Sequence, residues 1–173
     1  MSRAFVKESD EDAAAGELPE RPVPTHPNYV TARGLAQLQA RERELAARHE
    51  SLKSASEDDS AAKQTLREIE RDLRYVRAQL ERAELVQPVP AQSIPDTRGV
   101  RFGATVIIED DSGARHTYRL VGDDEADAAM GDISWASPLA RALIDARVGD
   151  VVTWRRPAGA TDVEIIDIRY DHA

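Results

Sequence analysis

The chain has no cysteine, no long apolar run, and aromatic side chains at only 5% of its 173 positions. The lack of cysteine removes disulfides, thiolate metal sites and cysteine nucleophiles, and it suits a reducing compartment. The apolar runs fall far short of the roughly 18 residues that a membrane span needs. The opening MSRAFVKESDEDAAAG has no signal-peptide core, so a cytoplasmic protein with no membrane partner is expected. Positive charge is also scarce. The 32 acidic and 23 basic side chains leave a net charge of -9, which disfavours loose adhesion to nucleic acid and confines any such contact to a local patch. No glycine-rich nucleotide loop, G-x-S-x-G elbow or HExxH motif occurs. His26, His49, His116 and His172 stand singly, without metal-ligand spacing. Self-contained catalysis is therefore not expected, and neither is a cofactor or metal of the chain's own.

What the chain does have is two long helical patterns followed by strand patterns. Residues 1–28 carry six acids, three bases and prolines at 19, 22, 24 and 27, and they read as a disordered acidic arm. Residues 29–87 read as an antiparallel coiled-coil hairpin. Thr31 is a candidate N-cap, and Leu35, Leu38, Leu45 and Leu52 occupy heptad core positions, with Glu42 and His49 between them. A second register runs through Ala62, Leu66, Ile69, Leu73, Val76, Leu80 and Ala83 in steps of four and three, with Asp59 or Ser60 as its cap. Each helix has one apolar seam, and folding back on a short polar link buries the two together. About 22 residues at about 1.5 Å each give an arm on the order of 33 Å long. Residues 88–98 are a proline-bearing linker. Residues 99–173 read as a small antiparallel sheet with one helix, which starts at Ser137 as N-cap and Pro138 at its first position. The fold class is α+β.

Three features bear on chemistry. The acids Glu57, Asp58 and Asp59 fall at the hairpin tip. They suit either a polar loop with an aspartate cap or a set of ligands presented to another protein's divalent cation, since Mg²⁺ takes carboxylate and water oxygens. Lys63, Arg67, Arg71 and Arg74 recur at four, four and three residues along one face of the second helix. That strip is either a solvated face or a track for a phosphate backbone. The run VGDDEAD at 121–127 lacks the spacing and central glycine of a calcium loop, so Asp123, Asp124, Glu125 and Asp127 are expected in a surface loop.

The order of these parts resembles the GreA/GreB family of bacterial transcript cleavage factors. The motifs YRLVGDDEAD, GDISWASPLARALI, VGDVV and PAG carry the resemblance in the sheet half, and MSRAFVKESD and NYVTARGLAQL look like those of GreB-type members. The resemblance implies an FKBP-like sheet domain that docks on RNA polymerase, using Ser137 and Pro138, and a hairpin that enters the polymerase secondary channel. There the tip acids would help hold a second Mg²⁺ of the polymerase site while the RNA 3′ end of a backtracked complex is cleaved, with the basic strip facing that RNA. The chain would act as a monomeric accessory factor and not as an enzyme. Two departures stand out. The family tip is close to D-L-S-E-N-A, whereas Ser54-Ala55-Ser56-Glu57 places Glu57 on the second acid and Ser54 on the first. The first helix is also shorter than in typical members by roughly three turns, or about 18 Å. Short-armed members of the Rnk type, which bind polymerase without stimulating cleavage, offer a second reading. A coiled-coil adaptor with an inert tip is a third.

Overall fold

The computed structural model describes residues 18–53, 59–87 and 99–170. Glu57, Asp58, His172 and the 88–98 linker lie outside the described residues.

Helices α1 (Ala32–Lys53) and α2 (Ser60–Glu81) pack side by side along the seams written in the sequence. Leu38 and Leu45 of α1 are buried against Ile69, Leu73 and Val76 of α2, with Leu35, Leu52 and Leu80 at the margin. The two polar core-register positions of α1 stay at the edge of the seam and bond across it. Arg77 donates to Glu42 at 3.0 and 3.1 Å, and His49 lies 3.1 Å from Glu70. A narrow helix pair exposes most of its surface, so this seam and the base have to hold it together.

At the base, strand β1 (Asn28–Val30) pairs in parallel with β2 (Ala83–Leu85). A parallel pair needs a long crossover, and here the whole hairpin supplies it. The Asn28 side chain donates to the Gln79 carbonyl at 2.9 Å, and the Val86 amide donates to Val30 at 3.0 Å. Neither short strand is apparent from periodicity, because three residues carry too little pattern.

Residues 18–27 depart from the expected disordered arm. They run beside α2 as a strap, and Asn28 already belongs to β1. Four prolines restrict this stretch beforehand and lower the entropy lost on docking. Specific contacts then hold it. The Arg21 guanidinium sits 3.9 Å over the Tyr75 ring and 3.7 Å from Asp72, Glu20 meets Arg74, and Arg82 donates to the His26 carbonyl.

The second part is a five-stranded sheet in the order β5-β4-β3-β7-β6. It is built from β3 (Thr105–Asp110), β4 (Arg115–Val121), β5 (Asp132–Ser134), β6 (Val151–Arg156) and β7 (Gly159–Arg169). Four strands are antiparallel as expected, and β5 adds a parallel edge to β4, so the sheet is mixed. Helix α3 (Pro138–Leu143) covers one face. Its Leu139, Ala140 and Leu143 are buried with Val100, Val106, Ile108, Leu120, Val163 and Ile165. The β3–β4 turn is set by Asp110, whose carboxylate accepts from the Ser112 amide and hydroxyl and from the Ala114 amide, with Gly113 at φ +80°. The Ser112 hydroxyl and these amides hold the Asp110 carboxyl down at about 2.

Candidate functional site

The joint between hairpin and sheet is the most highly bonded part of the chain. Thr31 caps α1, with its hydroxyl accepting from the Gly34 amide at 3.0 Å. The first turn of α1 has no acid of its own to oppose the helix dipole. Glu125 supplies one from across the chain. Its side chain is only 2% exposed, accepts the Thr31 hydroxyl at 2.7–2.8 Å and pairs with Arg33 Nε at 2.7 Å. Arg33 also reaches Asp132 at 2.6 Å, and Arg119 grips the same carboxylate at 2.9 and 2.8 Å. Burial pulls the Asp132 carboxyl upward, but the Arg119 and Arg33 guanidiniums outweigh it and hold it below the ordinary value. Gly34 is needed at this spot, because a Cβ there would stand 2.6 Å from Glu125 Oε2.

Two more acids of the same run fasten α2 and the strap. Asp124 accepts from the Tyr75 hydroxyl at 2.8 Å and from Gln79 Nε2 at 2.7 Å. Burial first, and then this contact with Asp124, push the Tyr75 phenol up to about 12. Asp123 pairs with His26 at 2.6 Å and accepts from the Ser134 hydroxyl. Trp135 packs at 4.8 Å on Tyr29 and edge-on at 5.4 Å on His26. The 121–127 run is therefore a staple between the two parts, which corrects the surface loop expected from sequence. Only Asp127 fits that expectation, since it is exposed and caps the next turn at Ala129. Among the described residues no three His, Asp or Glu side chains converge as a metal site.

This joint escaped the sequence reading because isolated acids and arginines do not announce long-range partners. Two signals were there to find: a glycine in the first turn of a helix, and a first turn without an acid.

Of the tip acids, Asp59 is described. It is exposed and caps α2, with Oδ1 accepting from the Ala61 amide at 2.9 Å. The four cations of the strip do share α2, but three already have partners. Arg67 donates to Gln64 at 2.6 Å, Arg71 donates to the neighbouring Asp72 at 3.1 and 3.2 Å, and Arg74 holds Glu20. Lys63 is exposed. Ser137 caps α3 with its hydroxyl 3.3 Å from the Ala140 amide, and Pro138 beside it is exposed. The structure thus places the tip acid, the strip and the Ser137-Pro138 corner on three separate elements.

Comparison with known proteins accounts for this layout. A family model described as "Transcription elongation factor, GreA/GreB, C-term" matches residues 95–170. The transcription elongation factor GreB of Neisseria meningitidis serogroup B is 42% identical over 118 residues, covering 68% of this chain and 71% of that protein. GreA of Alkalilimnicola ehrlichii is 38% identical over 111 residues, covering 64% and 68%. Among solved structures, GreA factor homolog 1 of Thermus thermophilus is 26% identical and covers 83% of this chain and 99% of its own, at a TM-score of 0.39, too low to bear on how the parts are arranged. With a hairpin, a sheet domain and sequence identity spanning both, this chain belongs to the GreA/GreB family of transcription elongation factors.

Proposed function

We propose that the chain binds bacterial RNA polymerase through its sheet domain, at the corner formed by Ser137 and Pro138, and inserts the hairpin into the secondary channel. The observation that carries this reading is the joint. Glu125, Asp132, Asp123 and Asp124 tie both helices and the strap to the sheet through buried or part-buried bonds, so a slender pair of helices leaves an anchored base with its polar turn outermost. Preorganisation of this kind lets a probe deliver ligands to a fixed point, where small positional errors cost orders of magnitude in rate.

At that point the tip carboxylates of Glu57, Asp58 and Asp59 would share a Mg²⁺ with the polymerase. Carboxylate oxygens suit this hard cation, and the ion would supply charge stabilisation and an activated water for hydrolysis of the backtracked RNA 3′ end. The chain contributes ligands and position only. Asp59 offers at most its second oxygen, because Oδ1 is committed to the Ala61 amide. That commitment, together with Ser54 at the family's first acid, favours a second reading: a non-cleaving regulator of the Rnk type that occupies the channel.

Purified protein, a stalled backtracked elongation complex and Mg²⁺ separate these readings. Shortened RNA that disappears with Glu57→Ala, Asp58→Ala or Asp59→Ala supports cleavage. Polymerase binding without shortened RNA supports the regulator. No binding to polymerase refutes both.

A further inference from the structure

The strap meets α2 on its cationic face. Glu20 pairs with Arg74 through Nη2 at 2.5 Å and Nε at 3.1 and 3.3 Å, and the two side chains stay 61% and 57% exposed. Between strap and helix lies a groove of about 440 Å³ lined by Leu18, Pro19, Glu20, Arg67, Glu70 and Arg74. Arg67 carries a buried Nε–H with no partner among the described residues. A buried donor left unsatisfied costs free energy, so this groove is short of an acceptor oxygen. Arg74 has an acceptor, but it comes from a segment 54 residues away in sequence.

The strap is fastened independently of that pair. Arg21 stacks on Tyr75 and approaches Asp72, and the His26 carbonyl accepts from Arg82. These contacts keep the Glu20 carboxylate beside Arg74 at a high effective concentration, as a short tether does. The pair itself is solvated and screened by salt, hence weak enough to exchange. A phosphodiester presents the same geometry to a guanidinium as a carboxylate does, with more acceptor oxygens.

We infer that Glu20 is a built-in competitor for Arg74 that RNA phosphate displaces, so that the strap sets how strongly the cationic face of α2 takes RNA. This rests on the reading of Lys63, Arg67, Arg71 and Arg74 as the RNA-facing strip. It also gives the acidic strap a task beyond solubility: it keeps a local cationic track from adhering to nucleic acid outside a complex in which RNA is delivered to it.

The test is fluorescence anisotropy of a labelled single-stranded RNA with the full chain at low ionic strength, comparing wild type, Glu20→Gln, Arg74→Gln and the double variant. Glu20→Gln is expected to tighten binding about two- to fivefold, with the gain fading as salt rises. Arg74→Gln is expected to weaken binding, and Glu20→Gln in the Arg74→Gln background is expected to change nothing. If Arg74→Gln weakens RNA binding while Glu20→Gln leaves it unchanged or weaker, the competitor role is refuted and the strip stands. If Arg74→Gln has no effect, or neither wild type nor Glu20→Gln binds RNA, the strip reading fails and the inference fails with it.

Discussion

Gly34→Ala should destabilise this protein, although alanine is the better helix former. On an ordinary helix the exchange gains roughly 0.5–1 kcal/mol. Here the new methyl would stand 2.6 Å from Glu125 Oε2 and 3.1 Å from its Cδ. The Glu125 side chain is 2% exposed and held by Thr31 and Arg33, so it cannot swing away without losing those bonds. Overpacking of this kind costs about 1–3 kcal/mol, enough to reverse the sign. Glu125→Ala removes a buried acceptor and costs more. Breaking a fully buried ion pair costs about 3–5 kcal/mol, but Arg33 is 41% exposed and keeps Asp132, so it rehydrates in part. About 2–3 kcal/mol is the appropriate range for a lost charge-assisted bond with this relief. Once Glu125 is alanine the clash is gone, and Gly34→Ala should become neutral or stabilising. The double-mutant cycle then shows a coupling of about 2 kcal/mol. Urea unfolding followed by circular dichroism reads all four proteins. Additivity within about 0.5 kcal/mol would refute the account of the joint, because residues that do not touch simply add.

Three further outcomes follow from other parts of the chain. Leu45 is 1% exposed in the hairpin seam, so Leu45→Ala should cost about 2–5 kcal/mol and strip hydrogen-exchange protection from both helices; loss confined to α1 would contradict a shared seam. Asp59→Ala should cost about 0.5–2 kcal/mol and speed amide exchange in the first turn of α2 only, and unchanged exchange at Ala61 would show that the cap is not formed in solution. Asp110 has its carboxyl lowered to about 2, so the turn stability it confers is present above its ordinary value of 3.8 and is lost as pH falls toward 2; an NMR titration midpoint near 3.8 would contradict the turn geometry.

The hairpin was legible because its seams repeat. Leu38, Leu45, Ile69, Leu73 and Val76 recur at intervals that only a helix turns to one side, and all five are buried. The four long strands were legible for the same reason, being β-rich runs bounded by turn residues such as the Asp110–Ala114 loop. The joint was not. Glu125, Asp132, Arg33 and Arg119 lie on four different segments, and a bond across 92 residues of chain leaves no local period. The strap was hidden by composition, since an acidic, proline-bearing stretch reads as solvated whether or not Glu20 and Arg21 find partners on α2. β1 and β2 are too short to show alternation, and they exist because the helices bring their ends together.

The most direct measurement is a photo-crosslink from the hairpin tip. A crosslinking residue placed at Ser60, next to the capping Asp59, should label the RNA 3′ end or the lining of the polymerase active site in a backtracked complex, and changes at Ser137 and Pro138 should abolish it together with binding. Labelling restricted to the outer surface of the polymerase, with the sheet domain bound normally, would contradict a hairpin that reaches the active site.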